Sequence, residues 1–235
     1  MSIYSKSHLA LSGRTALALA AVVAAIGTSC GIAHAAPPEI RTSAGNPVPA
    51  CVTPERLMQY MQRRNGRLDP AFRDIASQYK RHGEAWRVRW DYAFYQMLVE
   101  TNFLTYRTGA GRWGDVNPRQ NNFAGIGTTG GGVPGNGFPD VSTGVLAQIQ
   151  HLVVYSGERL ADPVAPRTRL KMDEILGKSH ALGRPVTFDD LKGRWAVDKR
   201  YGTSIEWAAK GFRDAFCSGG GEAGGEPRSQ RRAGR

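Results

Sequence analysis

The stretch WRVRWDYAFYQMLVETNFL (residues 86–104) carries the pattern that decides the fold of this chain. The spacing i, i+3, i+4, i+7 and i+11, which marks one face of an α-helix, is occupied by Trp90, Ala93, Phe94, Met97 and Thr101. This spacing predicts a helix from about Val88 to about Thr101. The acid near its end, Glu100, falls on or beside the apolar face.

Glu100 therefore needs a physical explanation. A carboxylate beside an apolar face is costly unless it is paired, hydrogen-bonded or placed in a working cleft. One interpretation is an ordinary ion pair with an arginine close in sequence, which would be Arg87, Arg89, Arg107 or Arg112. The other is a functional carboxyl with a raised pKa, because the apolar face removes water and the C-terminal end of the helix adds the negative pole of its dipole.

The rest of the chain is predicted to form further helices around one irregular segment. Caps and apolar repeats predict helices that open at Thr53-Pro54 and Asp69-Pro70, that span 142–155 and about 169–176, and that begin near Thr203 or Ser204. Residues 105–140 are rich in glycine and lack helical periodicity, so we expect loops and a short hairpin there. The predicted fold is mainly α, with this glycine-rich lobe, irregular or short β, inserted after the helix that carries Glu100.

The two ends of the chain differ in composition from its middle. Residues 1–35 have the pattern of a secretory signal, with a basic start, the apolar run ALALAAVVAAIG at 16–27 and the cleavage motif Ala33-His34-Ala35. We predict a Pro-rich linker at 36–50, one domain at 51–217 and a disordered basic tail at 218–235. Cleavage would leave a periplasmic or secreted protein with no stable membrane anchor.

Charge and cysteine content fit an exported protein. The formal net charge is +11, of which Lys6 and Arg14 contribute two, so the cleaved chain carries +9. Such a charge favours an anionic partner such as a cell-wall polymer, whereas export separates the protein from nucleic acid. Cys51 and Cys217 bracket the predicted domain, and a disulfide between them is plausible in an oxidising compartment. The alternative is two free thiols; neither cysteine lies in a setting that suggests a nucleophile.

Several sequence motifs of known enzyme classes are absent, or occur without the secondary structure that they require. The pattern G-x-G-x-x-G occurs at 109–114 and 125–130, but neither match lies between a predicted strand and a helix, as dinucleotide binding requires. The sequence contains no H-E-x-x-H pair and no G-x-S-x-G elbow. We therefore predict no metal and no cofactor.

Three segments, in this order, resemble the glucosaminidase family of peptidoglycan hydrolases: YAFYQMLVETNFL (92–104), NNFAGIG (121–127) and WAVDKRYGTSI (195–205). The resemblance covers about residues 85–216. It implies a lysozyme-like helical fold, related to the wall-cutting domain of flagellar rod-assembly proteins. This chain departs from the family pattern by permuting Phe123 and Ala124 in the second motif. Other departures are Asn102 where Gly is frequent, Trp195 for Tyr, Val197 for Thr and Lys199 for Pro.

The resemblance implies roles for Glu100 and Tyr201, and the acids, aromatics and amides of the glycine-rich lobe supply the other candidates. Glu100 would be the general acid that protonates the leaving oxygen, and Tyr201, which matches the site tyrosine of the family, would bond the substrate. Asp140 is a candidate second carboxylate, although it also has the pattern of a helix cap, and the 2-acetamido group of the substrate is an alternative to it. Candidates for contacts with sugars are Tyr106, Trp113, Phe138, Asn121 and Asn122.

These observations predict a monomeric, exported endo-β-N-acetylglucosaminidase that cleaves β-1,4 bonds of peptidoglycan glycan strands. One alternative is a lytic transglycosylase of the same superfamily, although the sequence lacks a G-L-M-Q-like segment after the acid. Another is an inactive wall-binding envelope protein, of which the simplest form is a basic protein that binds polyanions.

Overall fold

The computed structural model describes residues 37–108, 110–114, 116–128 and 133–218. Over these residues the chain is mainly helical, as predicted, and its β-structure is limited to isolated bridges such as Arg107 with Trp113. The α-helices are α1 (Pro54–Arg64), α2 (Ile75–Ala85), α3 (Trp90–Glu100), α4 (Val141–Tyr155), α5 (Pro166–His180) and α6 (Tyr201–Phe216). Short 3₁₀ segments occupy Pro70–Phe72, Pro118–Gln120 and Asp189–Leu191.

Helix starts follow the capping signals at one predicted position and depart from them at another. The Thr53 hydroxyl accepts a hydrogen bond from the Arg56 N–H at 3.3 Å, with proline directly after the cap, and α1 begins there. Asp69 caps only a 3₁₀ turn, and α2 begins later, at Ile75. Helix α5 is longer than the predicted 169–176. The prediction was too short because the buried face also includes Thr168 and Ser179, which a search for apolar residues does not detect.

The central helix is α3. It packs against α2 and α6, while α4 packs against α2 and α5. Every residue of α3 from Trp90 to Leu98 is buried, so the helix is enclosed on all sides and ends at the surface with Glu100. The helix thus leads from the enclosed core to the surface, where it ends at the carboxyl of Glu100.

The predicted linker at 36–50 is wrong for the described part of that range. Residues 37–50 pack along the domain: Ile40 is fully buried, and antiparallel bridges join Glu39 to Thr187 and Arg41 to Val88. The Asn46 side chain closes this segment by donating to the carbonyls of Glu39 and Arg41 at 2.9 and 2.8 Å. One apolar anchor in a Pro-rich, aperiodic stretch is too weak a signal to be read as core.

A disulfide ties the two ends of the helical domain together. Cys51, just before α1, is bonded to Cys217, which follows α6, with 5.4 Å between their Cα atoms. The predicted signal peptide and all but the first residue of the predicted tail lie outside the described residues. Within the described part of the chain, no helix has the length and apolar character needed to cross a membrane.

Candidate active site

Glu100 ends α3 as a partly exposed side chain, and no ion pair reaches it from the described residues. Two of the arginines that sequence proximity suggested as partners are engaged elsewhere. Arg89 binds Asp91 at 2.6 Å, and the Arg107 guanidinium lies 4.2 Å from the centre of the Trp113 ring. The ion-pair interpretation of Glu100 therefore loses its support.

The neighbours of Glu100 are neutral hydrogen-bond donors and backbone. The Tyr201 hydroxyl donates to Oε1 of Glu100. The indole N–H of Trp195 donates to the Ala124 carbonyl at 3.2 Å and lies near enough to the carboxyl to lower its pKa. Burial raises the pKa of Glu100 to about 7, and the two donors only partly offset that rise. At neutral pH a large fraction of this carboxyl is therefore protonated.

Behind Tyr201 lies a buried chain of side-chain hydrogen bonds that runs back into the core. The Gln96 amide donates to the Tyr201 oxygen at 2.9 Å, and its own oxygen accepts from Gln148 at 2.9 Å. The Gln148 amide also donates to the Ala93 carbonyl at 3.0 Å, which fixes its orientation, and its oxygen accepts from the Tyr79 hydroxyl. Because each of these side chains donates to the next one toward Glu100, the hydroxyl proton of Tyr201 is held on the side of the carboxyl.

The turn that follows Glu100 has an uncommon backbone. Asn102, Phe103 and Leu104 have φ of 46°, 57° and 57°, the left-handed region that costs a non-glycine residue about 1–2 kcal/mol. Side chains hold the turn: Thr101 Oγ1 accepts from the Leu104 N–H at 2.9 Å, and Asn102 donates to the Arg107 carbonyl at 2.9 Å. Through this turn the chain passes from the end of α3 into the glycine-rich lobe.

A groove extends from Glu100 across the described part of the glycine-rich lobe. A cavity of about 360 Å³ beside Glu100 shares two of its residues, Gly114 and Val116, with a second cavity of about 510 Å³ that Trp113 lines. The Trp113 side chain is 61% exposed, so one face of its ring is free for a flat ligand while the other lies against Arg107. The remaining residues that line this "Glu100 groove" include Asn102, Thr108, Asn117, Pro118 and Arg119.

Other residues that were predicted to contact sugars are buried and pack against the rest of the protein. Tyr106 borders the groove but is 4% exposed, with its ring against Phe72, and Phe138 packs into a small apolar cluster. Asn122 is buried and saturated: its amide donates to the Ile126 and Asn136 carbonyls at 2.9 and 3.0 Å, and its oxygen accepts from the Ile126 N–H at 3.0 Å. Its role is to shape the loop, so the prediction that it contacts substrate is wrong.

Asn121 and Asp140 stabilise the junction between the loop that contains Asn122 and the start of α4. Asn121 donates to the Phe138 carbonyl at 3.1 Å from a left-handed backbone with φ of 49°. Asp140 is the N-cap of α4, accepting from the Thr143 N–H at 2.7 Å; that bond lowers the pKa of Asp140. Asp140 does not line the Glu100 groove, so the structure favours the capping role. Asp115, the other acid of the lobe, lies outside the described residues.

The contact between this loop and α4 depends on a glycine. A Cβ added at Gly144 would lie 1.8 Å from the Asn121 carbonyl oxygen, a backbone atom that cannot rotate away. We expect Gly144→Ala to lower the free energy of unfolding by about 3 kcal/mol, through overpacking. Gly177→Ala is the control, because its Cβ would meet nothing within 4 Å and should add about 1 kcal/mol of helix stability. Urea titrations of both variants check this, and equal stabilities would contradict the close approach.

Comparison with known proteins finds one relative of substantial coverage. A protein of Borreliella burgdorferi (strain ATCC 35210 / DSM 4680 / CIP 102532 / B31) named "Uncharacterized protein" is 32% identical over 155 residues, which cover 65% of this chain and 69% of that protein. No family model matches the chain, and no solved structure matches it.

Proposed function

We propose that this chain, which belongs to the same family as the Borreliella burgdorferi protein, is an exported endo-β-N-acetylglucosaminidase with a lysozyme-like fold that acts on peptidoglycan. The observation that carries the proposal is the Glu100 carboxyl, unpaired by any described cation, open to a groove and with a pKa raised to about 7. A carboxyl in that state is suited to donate a proton at neutral pH.

The chemistry would begin with proton transfer from Glu100 to the glycosidic oxygen. The C1–O bond then breaks, the leaving sugar departs as an alcohol, and positive charge develops on the ring that retains C1. Glu100 is left as a carboxylate, which the Tyr201 hydroxyl stabilises because its proton already points there. A water molecule completes hydrolysis and returns a proton to Glu100.

The stabilising group opposite Glu100 is proposed to come from the substrate. Among the described residues that line the Glu100 groove, Glu100 is the one carboxyl. A 2-acetamido sugar carries its own nucleophile, the amide oxygen, which can attack C1 and form a bicyclic intermediate that water later opens. An N-acetylglucosamine on the side of the broken bond that retains C1 meets this requirement. The exposed Trp113 ring would stack on another sugar of the strand.

The lone carboxyl also supports a second candidate, a lytic transglycosylase. In such an enzyme one glutamate acts first as acid and then as base, and the 6-hydroxyl of the muramic ring replaces water. The product would then be a 1,6-anhydro sugar rather than a reducing end. The two candidates share Glu100 but differ in the acceptor and in the bond that is broken, because the ring that retains C1 is N-acetylglucosamine in the first and muramic in the second.

Product analysis tests the proposal directly. Purified peptidoglycan is incubated with residues 36–235, and the soluble fragments are reduced with borohydride and analysed by mass spectrometry. Reduced N-acetylglucosamine ends support the proposal. Anhydro-muramic ends would assign the transglycosylase, and protein bound to the pellet without fragments would indicate a wall-binding module.

The pH profile should depend on Tyr201. Since Glu100 must be protonated to act, the rate is expected to fall as pH rises through about 7. The Tyr201 bond lowers the pKa of Glu100, so Tyr201→Phe should move this limb about one unit higher in pH and reduce the maximal rate about tenfold.

Tyr95→Phe is the matched control for that experiment. The Tyr95 hydroxyl is buried and has no hydrogen-bond partner among the described residues, so its loss should leave the pH profile unchanged. Rates measured from about pH 5 to about pH 9 compare the two variants with wild type. An unshifted limb in Tyr201→Phe would remove Tyr201 from the mechanism.

A further inference from the structure

We propose that a second cavity next to Glu100 binds a carboxylate group carried by the glycan strand, an inference that rests on the proposed function. We call it the cationic cavity. It encloses about 180 Å³ between the loop at Gly125–Thr128, the end of α4, one face of α5 and the segment before α6. Its charged lining consists of Arg167, Lys171, Glu174 and Arg194.

The cationic cavity adjoins the proposed proton donor. Trp195 and Gly125 line it, and both lie beside Glu100: the indole lowers the pKa of the carboxyl, and a Cβ built on Gly125 would lie 3.4 Å from Oε2. A strand bound at Glu100 would therefore place a side group of a neighbouring sugar within reach of the cavity. At about 180 Å³ the space is below the roughly 300 Å³ at which ligand pockets begin, so it suits a side group rather than a sugar chain.

The charges in the cationic cavity do not balance. Glu174 is the one acid of the lining, and it already accepts from Lys171 at 2.9 Å and from Lys178 at 2.7 Å. These two lysines lower the pKa of Glu174 to about 2. Arg167 and Arg194 have no ion-pair partner among the described residues. Two guanidinium groups therefore stand beside the cavity without a counter-charge.

Unused hydrogen-bond donors point to the same ligand. Arg194 donates through Nη2 to Ser179 Oγ at 2.5 Å and lies 5.3 Å from the centre of the Tyr155 ring, which hold it in place. Its Nε and Nη1 atoms are buried with no partner among the described residues, as is Thr128 Oγ1. Each such group costs about 1–3 kcal/mol, and a rotation of the Arg194 guanidinium toward the cavity would let a bound acceptor remove that cost.

A carboxylate is the acceptor that fits these donors. Its two oxygens match the paired N–H groups of a guanidinium, and charge-assisted bonds of this kind are about twice as strong as neutral ones. His151, which also lines the cavity, contributes no charge, because burial lowers its pKa to about 3. In the proposed substrate, a muramic residue carries a free carboxylate where its stem peptide has been removed, because the peptide is joined to that group as an amide. N-acetylglucosamine carries none, so the cavity would favour strands that have lost their peptides.

Binding measurements with two small probes test the cationic cavity. N-acetylmuramic acid and its methylamide differ only in the charge of one group. We expect the wild-type chain to bind the acid at least about tenfold more tightly in calorimetric titrations, and we expect Arg167→Gln and Arg194→Gln to lose that preference. Arg169→Gln is the control, since it removes the same charge from α5 at a residue that pairs with Asp162 and does not line the cavity.

The outcomes separate this inference from the proposed function. A preference for the acid that depends on Arg167, in a chain that releases no fragments from peptidoglycan, would support the cavity and reject the hydrolase. Equal affinity for acid and methylamide, or a preference that Arg167→Gln retains, would overturn the cavity whatever the activity. Arg167→Gln decides alone if Arg194→Gln fails to fold, because no hydrogen bond of the Arg167 side chain holds the described structure together.

Discussion

Glu100→Gln is expected to fold normally and to hydrolyse peptidoglycan about 10³-fold more slowly than wild type, the usual scale for the loss of a general acid. Glutamine keeps the shape of the side chain, and its oxygen can still accept from the Tyr201 hydroxyl. What the variant lacks is the proton. Release of reducing ends from purified peptidoglycan, measured at several enzyme concentrations, gives the ratio of rates.

Glu206→Gln is the contrasting control for this prediction. Glu206 is also buried, but it is bound by Arg213 and accepts from the Tyr92 hydroxyl at 2.8 Å, so its charge is compensated. Breaking that pair should cost about 3 kcal/mol of stability and leave the rate per folded molecule unchanged. Hydrolysis retained by Glu100→Gln at near the wild-type rate would contradict the assignment of the acid.

Glu100→Gln should also change how the free energy of unfolding depends on pH. Because the folded-state pKa of Glu100 lies above the unfolded value, the folded state holds the extra proton, and its stabilisation is lost as pH rises from about 4.5 to about 7. In Glu100→Gln this contribution to the slope should vanish, so the variant should gain stability relative to wild type above pH 7. A merely structural glutamate held by an ion pair would give the opposite sign.

The sequence predicted best where a single local signal decides the outcome. A threonine before a proline begins α1, and Glu100 at the end of an apolar pattern does lie at the edge of the core. Signals that depend on tertiary context were less reliable. Tyr106 and Phe138 were assigned to sugar binding because they are aromatic and lie in a loop, but loops also need apolar anchors, and both are buried.

The hydrogen-bond chain behind Tyr201 was missed for a related reason. Gln96 lies one turn before Glu100 and Gln148 interrupts the apolar run of α4, so each was visible as a polar residue among apolar ones. Their partnership joins residues 52 apart in sequence, and no local pattern reports such a distance. Likewise, Arg167 and Arg194 meet beside one cavity only because α5 folds back against the segment before α6.

Loss of the disulfide is expected to have the largest effect on stability. Cys51 and Cys217 close a loop with a sequence separation of 166, for which the chain-entropy model gives about 5 kcal/mol. That is a large part of the ~5–15 kcal/mol by which a domain is typically stable. The double variant Cys51→Ser/Cys217→Ser should therefore unfold at much lower denaturant concentration, as guanidinium titrations followed by circular dichroism would measure.

The activity of the molecules that remain folded should be unaffected by this change. Tyr201 begins α6 and Cys217 follows it, so the 16 residues of the helix place the disulfide about 24 Å from the Glu100 contact. A loss of less than about 1 kcal/mol would contradict the prediction. It would mean that other contacts hold the two ends without the covalent bond. The Arg56 guanidinium, which donates to the Cys51 and Phe216 carbonyls at 3.2 and 3.3 Å, is the group positioned to do so.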